Sequence, residues 1–326
     1  MSGGLIHVVG GGLAGCAAAL TACRAGAEVR LYERSALPRH KVCGEFLSPG
    51  ILPQLEQLGL LESFLAAEPA RIHRMVLNYG RVEKTAKLPD TAYGLSRFVL
   101  DKLLYDAAVS AGAQAAGASA PPGVAPVVLA TGRRAVAPRG KRLFGFKSHY
   151  RGPVGDAVEL YFFRGGYVGV SPVESGLTNI CGLASEDILR NWNFRFDDLV
   201  ASVLNRRISP LTREMGWLST GPLVFRTESR KNPVEGLYPA GDALAFIDPF
   251  TGSGMLIAVT TGSMAGSAAA QNLPVRDYLQ KCAGLLNRPF EFSSIFRRVL
   301  TAGVPSLLAR LTPGVLLYRL TRPRLS

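Results

Sequence analysis

The chain begins with a short apolar run, Leu5–Val9, of residue types that suit a strand buried on both faces of a parallel sheet. Glycines follow at Gly10–Gly12, and the small-residue stretch Leu13–Ala25 predicts a helix closed by Gly26-Ala27. Glu28–Tyr32 predicts a second strand, which completes a β-α-β unit of about 30 residues, the size of a nucleotide-binding crossover. Ile51–Leu65 and Val99–Ala111 carry apolar residues at helical spacing, whereas Ala113–Pro126 is low in complexity and reads as a loop. Val127–Ala130 is a short strand ended by Thr131-Gly132. Arg142–Ser171 alternates and is rich in Tyr, Phe and Val, which predicts a second, more antiparallel sheet. Gly236–Ala240 reads as another strand and Gly254–Ala270 as a helix. The tail after Asn287 reads as short helices broken at Pro305 and Pro313.

Composition narrows the class. The 326 residues are 48% hydrophobic and 19% charged, which excludes a disordered chain and allows ample core. The net charge of +13 is regional: Ala107–Gly155 holds seven Lys/Arg and no carboxylate, and Val275–Ser326 holds nine against two. Neither stretch carries a nucleic-acid motif, so nucleic acid is not an expected partner. Pro249–Val275 is uncharged for 27 residues, but Pro249 and four glycines make it a poor membrane span. The five cysteines show no CxxC and no Cys/His pair at zinc spacing, so no metal is expected, and reduced thiols in the cytoplasm are the default.

The chemistry-bearing pattern is Gly10-Gly11-Gly12-Leu13-Ala14-Gly15, a GxGxxG between strand and helix. Gly10 permits the tight turn, Gly12 lets a pyrophosphate approach the backbone, and Gly15 lets the helix pack on the strand. The helix N-terminus then offers unpaired N–H groups to phosphate. Glu33 ends the second strand 18 residues after Gly15, where a carboxylate accepts from ribose hydroxyls. It argues against a 2′-phosphorylated ribose, while Arg34 beside it argues the other way. Far downstream, Gly241-Asp242 follows a strand, and Gly252-Ser253-Gly254-Met255 opens a helix. Asp242 is placed to bond a ribityl hydroxyl, and the Gly252–Met255 amides to face the electron-rich pyrimidine edge of a flavin.

Taken with Lys41-Val42-Cys43-Gly44-Glu45 and with Arg97 and Asp101 on one helix, these pieces resemble the FAD-dependent oxidoreductases of the aromatic-hydroxylase superfamily, closest in motifs to the geranylgeranyl-reductase-like branch. The resemblance covers about 250 residues, in the family's order, so that length is read from the motifs. It implies an α/β fold: a Rossmann-like FAD-binding domain with an inserted β-sheet substrate domain and a C-terminal helical tail. The implied boundaries are 1–70, 95–140 and 232–275 for the FAD domain, 71–94 and 141–231 for the substrate domain, and 276–326 for the tail. The cofactor set it implies is Gly10, Gly12, Leu13, Ala14, Gly15, Glu33, Arg34, Lys41, Cys43, Arg97, Thr131, Gly132, Gly241, Asp242, Gly252, Ser253, Gly254 and Met255. Two departures stand out. Thr131-Gly132 replaces the family's Asp-Gly pair, which leaves NAD(P)H open as electron donor. Tyr167-Val168-Gly169-Val170-Ser171-Pro172 keeps only part of a Tyr-x-Trp-x-Phe-Pro pattern, with Gly169 and Ser171 in place of large aromatics.

FAD itself carries the redox chemistry in such an enzyme. The catalytic candidates are Cys43, whose thiolate Lys41 and His40 would favour, Glu45, and Pro249, which in the family lines the substrate side of the flavin. Tyr167, Phe246 and Phe250 are expected to wall a dry substrate pocket. The leading reading is monooxygenation or oxidation of a hydrophobic aromatic or polyketide-like small molecule. Alternatives are reduction of isoprenoid double bonds, supported by Cys43 and Tyr167–Pro172, and a non-catalytic flavoprotein that binds a partner or membrane. The apolar, basic segment Phe292–Arg324 suggests peripheral membrane contact through the tail.

Overall fold

The computed structural model describes residues 3–133, 142–152, 155–223, 226–227, 233–246 and 252–286. Pro249, Phe250 and the tail beyond 286 lie outside the described residues. The first part of the chain runs β1 (Gly3–Val9), α1 (Leu13–Arg24), β2 (Ala27–Tyr32), β3 (Phe46–Leu47), α2 (Ile51–Gln57), α3 (Leu61–Ala66), β4 (Ala70–Asn78), β5 (Glu83–Gly94), α4 (Arg97–Ser110), β6 (Gln114–Ala115) and β7 (Val127–Leu129). The rest runs β8 (Leu143–Arg151), β9 (Ala157–Phe163), β10 (Gly166–Pro172), β11 (Leu177–Ser185), α5 (Glu186–Asn191), α6 (Phe196–Leu204), β12 (Thr212–Arg213), β13 (Leu218–Thr220), β14 (Arg226–Thr227), β15 (Leu237–Pro239), β16 (Ala245–Phe246) and α7 (Gly254–Ala270).

A five-stranded, wholly parallel sheet in the order β15-β7-β1-β2-β6 forms the first layer. The helices on it pack unusually closely. Nine of the twelve residues of α1 are buried, mostly alanines. In α7, a Cβ at Gly262 or Gly266 would come within 2.2 Å of the carbonyl oxygens of Ala14 or Ala18. Small residues on both helices therefore let the backbones touch, and α7 is held over the N-terminal turn of α1.

The second sheet runs β12-β8-β11-β10-β9-β4-β5-β3, with β13 beside β8; its pairs are antiparallel except β4 with β9. Side chains alternate between its faces. Tyr167 and Leu183 join Phe46, Met75, Leu223 and Phe246 in one cluster, while Val168, Val170, Ile180 and Ala184 pack on α5 and α6 in another. The first of these faces is turned to the site.

Three expectations change. Ile51–Leu65 is two helices, because Gly59 takes the left-handed backbone (φ 56°) between them. The predicted loop Ala113–Pro126 contributes an edge strand, β6, whose hydrogen-bonded neighbour is β2. Phe46–Leu47, within the first implied FAD segment, pairs with β5 in the second sheet. Among the described residues, no helix is long and apolar enough to cross a membrane.

Candidate active site

A single cavity of about 830 Å³ runs from the glycine turn after β1 to the inner face of the second sheet. At one end, Gly10 adopts φ 110°, and a Cβ there would lie 2.3 Å from the Ala130 carbonyl oxygen. A Cβ at Gly15 would lie 1.7 Å from the Gly10 carbonyl oxygen, so any side chain at Gly15 breaks the turn. Gly12 differs: its missing Cβ would face the Lys41 Nζ at 3.5 Å and the Arg97 guanidinium at 3.9 Å, with no hard contact. The helix after it starts without a side-chain cap and with no acid in its first turn. Its N-terminal dipole and two cations thus converge on one spot.

Those cations are held by a buried carboxylate. Arg97 donates from Nε and Nη2 to Asp101 at 2.6 and 2.9 Å, and Lys41 donates from Nζ at 2.5 Å. Asp101 is wholly buried. Burial opposes its ionisation, but Arg97 and then Lys41 outweigh it and hold the carboxyl below the usual range. Two cations against one anion leave a positive excess beside Gly12, suited to a pyrophosphate. Glu33 accepts from the Gly11 and Ser35 amides at 2.8 and 2.9 Å and lies 3.6 Å from Arg39. Each carboxylate oxygen keeps a second lone pair for a ribose hydroxyl. Leu13, Ala14, Arg34, Thr131 and Gly132 line the same cavity.

Further along, Gly241 (φ 58°) turns the chain after β15, and a Cβ on it would meet Ala14 at 2.9 Å. This brings Asp242 to the cavity, where burial pushes its carboxyl above the ordinary range against the pull of Arg97, Arg133 and Lys41. Gly252, Gly254 and Met255 line the cavity where α7 begins, also without a side-chain cap, and Ser253 lies buried beneath them. A glycine cradle closed to side chains, excess positive charge, a half-buried carboxyl at Asp242 and a second uncapped helix start fit the length and polarity of FAD.

Residues 5–119 match the FAD binding domain family. The chain is an FAD-binding protein. Digeranylgeranylglycerophospholipid reductase 2 of Methanopyrus kandleri is 28% identical to this flavoprotein, covering 83% of it and 78% of its own length. Menaquinone reductase of Mycobacterium tuberculosis is 47% identical, but over 55 residues, or 17% of this chain and 14% of its own. Among solved structures, a triple mutant of the flavin-dependent brominase Bmp2 superposes with a TM-score of 0.76 at 16% identity, covering 96% of this chain and 94% of that one. PqsL of P. aeruginosa in complex with 2-aminobenzoylacetate gives 0.72 at 15%, covering 94% and 98%. These two likenesses establish the fold.

In the flavoprotein, segment 43–45 is laid directly on the second sheet. Ser171 Oγ donates to the Gly44 carbonyl at 3.2 Å, and Asn179 Nδ2 to the Cys43 carbonyl at 3.1 Å. The residue at 171 therefore holds the loop, while at Gly169 a Cβ would already press on Leu160 at 3.3 Å and the Cys181 sulfur at 3.4 Å, so the large aromatic of the pattern has no room there as the chain stands. Cys43 lines the cavity, but burial pushes its thiol up, and Lys41 is engaged with Asp101; the expected thiolate is corrected to a thiol. Cys181, also in the lining, is pushed up to about 12 by burial. Glu45 is wholly buried and accepts from Lys147 Nζ, from His149 at 2.7 Å and from the Arg97 amide at 2.7 Å, with backbone φ of 53°. Tyr167 and Phe246 line the apolar end. Sequence reasoning missed Lys147 and His149. Their signal is a cation and an imidazole two apart on one strand, which puts both on one face.

Proposed function

We propose that this flavoprotein is an oxidoreductase that oxygenates or oxidises a hydrophobic aromatic or polyketide-like small molecule. The observation that carries the reading is the wall of Phe46, Met75, Val158, Leu160, Tyr167, Leu183, Leu223 and Phe246, which shares one cavity with the FAD cradle. FAD, when bound, supplies the two-electron chemistry. Lys41, Arg97 and the Gly10–Gly15 turn hold its phosphates, and Asp242 and the start of α7 hold its other half. The apolar wall excludes water and receives a substrate by burying its carbon surface, at about 25 cal/mol per Å². Ser171 and Asn179 fix the loop that separates wall from cradle.

A second reading, reduction of isoprenoid double bonds, draws support from the Methanopyrus kandleri reductase and from Cys43 in the lining. The apolar wall of the cavity would take the hydrocarbon chain. The basic apolar tail would then serve to reach a lipid-dissolved substrate.

The two readings part in one experiment. FAD-loaded protein is reduced with dithionite, NADH or NADPH, then given an alkyl phenol with oxygen, or a prenylated lipid without it. A product one oxygen atom heavier supports the first reading. A saturated prenyl chain replaces it with the second, and flavin reoxidation with neither product sinks both.

A further inference from the structure

Four titratable groups gather where segment 40–45 meets β8: His40, Glu45, Lys147 and His149. Cavities in this region belong to the site already described, but the role of this cluster does not follow from it. Glu45 and Lys147 are 0% exposed and His149 3%. Burying an ion pair costs several kcal/mol per ion before the pair repays it, so stability alone is a weak reason for this one. The His149 ring stands edge-on to His40, with centroids 5.1 Å apart. His40 stacks on Phe98 at 4.8 Å and lines the cavity, as Glu45 does.

Two observations point to a link between them. The Nδ1 of His40 is buried with no hydrogen-bond partner among the described residues. One nitrogen of each imidazole and an oxygen of Glu45 lie within 4.8 Å of one another. A water making two bonds of about 2.8 Å covers such a gap, and a buried unpaired polar atom is where structural water sits.

We propose that His40 shuttles protons between the cavity and the buried Glu45–His149 pair through one bridging water, with Glu45 and Lys147 as positioning residues. The inference rests on the reading that substrate chemistry takes place in this cavity. The imidazole of His40 accepts a proton from a hydroxyl of the bound substrate at one nitrogen. Its other nitrogen gives a proton to the water, which gives one to the Glu45–His149 pair. The substrate becomes an anion, the pair gains one positive charge, and no electrons move; the reverse step returns the proton. Lys147, hydrogen-bonded to Glu45, keeps that carboxylate in place.

The groups facing His40 are Lys147, His149, Glu45 and Glu174, besides the Phe98 ring. Burial first, then Lys147 and His149, hold its imidazole below the ordinary range, so it is neutral and ready to accept near neutral pH. His40, Glu45 and His149 are also spaced as a divalent cation would need, but such an ion would compete with the Lys147 ammonium for Glu45.

The test uses full-length, FAD-loaded protein with labelled histidines; there are only four, His7, His40, His73 and His149. NMR titration is expected to show His40 and His149 titrating as a coupled pair, with the His40 midpoint rising in H149Q. Independent titrations overturn the proposal whether or not any substrate is turned over, which separates its failure from failure of the functional reading. In turnover, H40Q is expected to lose about 10²-fold, to lose the acid inflection of the pH profile, and to regain rate with added imidazole at unchanged FAD affinity. An unchanged rate and profile in H40Q, or a loss without imidazole rescue, overturns it. So does stoichiometric zinc retained by wild type and absent from H40Q, which would make the cluster a metal site.

Discussion

Replacing Lys147 with methionine tests whether the buried charge cluster joins the two sheets. The ammonium is wholly buried on Glu45, itself wholly buried and bonded to the first residue of α4 through the Arg97 amide. Methionine fills a similar volume and removes the charge. Removing one partner of a buried pair costs about 3–5 kcal/mol, because the other charge is left uncompensated. His149, 2.7 Å from Glu45, remains as a hydrogen-bond partner and offsets part of that, so the expected loss near pH 8 is about 3 kcal/mol, at the lower end of that range. The pH dependence has a definite sign. Burial raises the Glu45 carboxyl, but the His149 hydrogen bond and the Lys147 charge outweigh burial and hold it below the ordinary carboxylate range. Its contribution is therefore present above the unfolded-state value and is lost as pH falls through the folded-state value. Without Lys147 that loss begins at higher pH. Urea unfolding of FAD-saturated protein, followed by far-UV circular dichroism across pH, measures both effects. A double-mutant cycle with Glu45→Gln isolates the pair, and the double variant should lose well under the sum of the singles. A loss under about 1 kcal/mol for K147M, with additive singles, would refute the argument that the pair is a coupled, desolvated unit.

The remaining predictions follow from individual contacts. Gly15→Ala should abolish FAD binding in a fluorescence-quenching titration, because its Cβ would lie 1.7 Å from the Gly10 carbonyl oxygen. Arg97→Gln should weaken FAD affinity by about 10- to 100-fold, the worth of one charge-assisted contact of about 1.5–3 kcal/mol, and should do so less as salt rises. Cys43 and Cys181 should react slowly with a thiol reagent at pH 8, because burial raises both thiols and the thiolate forms only at higher pH; fast labelling of either would contradict this. Removing the residues after Asn287 should reduce sedimentation with anionic liposomes, and equal binding would remove the membrane role proposed for the tail.

How much of this was legible beforehand depended on range. The glycine turn, Glu33, Asp242 and the start of α7 are local signals: each side chain or missing side chain acts within a few residues of a turn. They stand where the spacing placed them, and Gly254–Ala270 is α7 to the residue. The short, apolar strands β1, β7 and β15 were legible for the same reason. What escaped was long-range. Glu45 looked like a free acid near the flavin, yet its partners Lys147 and His149 lie 102 and 104 positions away, and the spacing that puts those two on one strand face does not name Glu45 as what they meet. The reactive reading of Cys43 failed because sequence proximity to Lys41 says nothing about Asp101, sixty positions on, which binds that lysine. Ile51–Leu65 was read as one helix because its apolar spacing continues through Gly59, and only the backbone conformation there breaks it.

The central claim is that Gly10–Gly15, Lys41, Arg97 and Asp242 form the two ends of one FAD cradle. Titrating apo-protein with FAD while recording flavin fluorescence and absorbance tests it most directly. The account predicts saturable binding of one FAD per chain, a yellow protein that keeps its flavin through gel filtration, and competition by ADP, which occupies the Gly12 end alone. A protein that stays colourless and leaves flavin fluorescence unchanged at saturating FAD would contradict it.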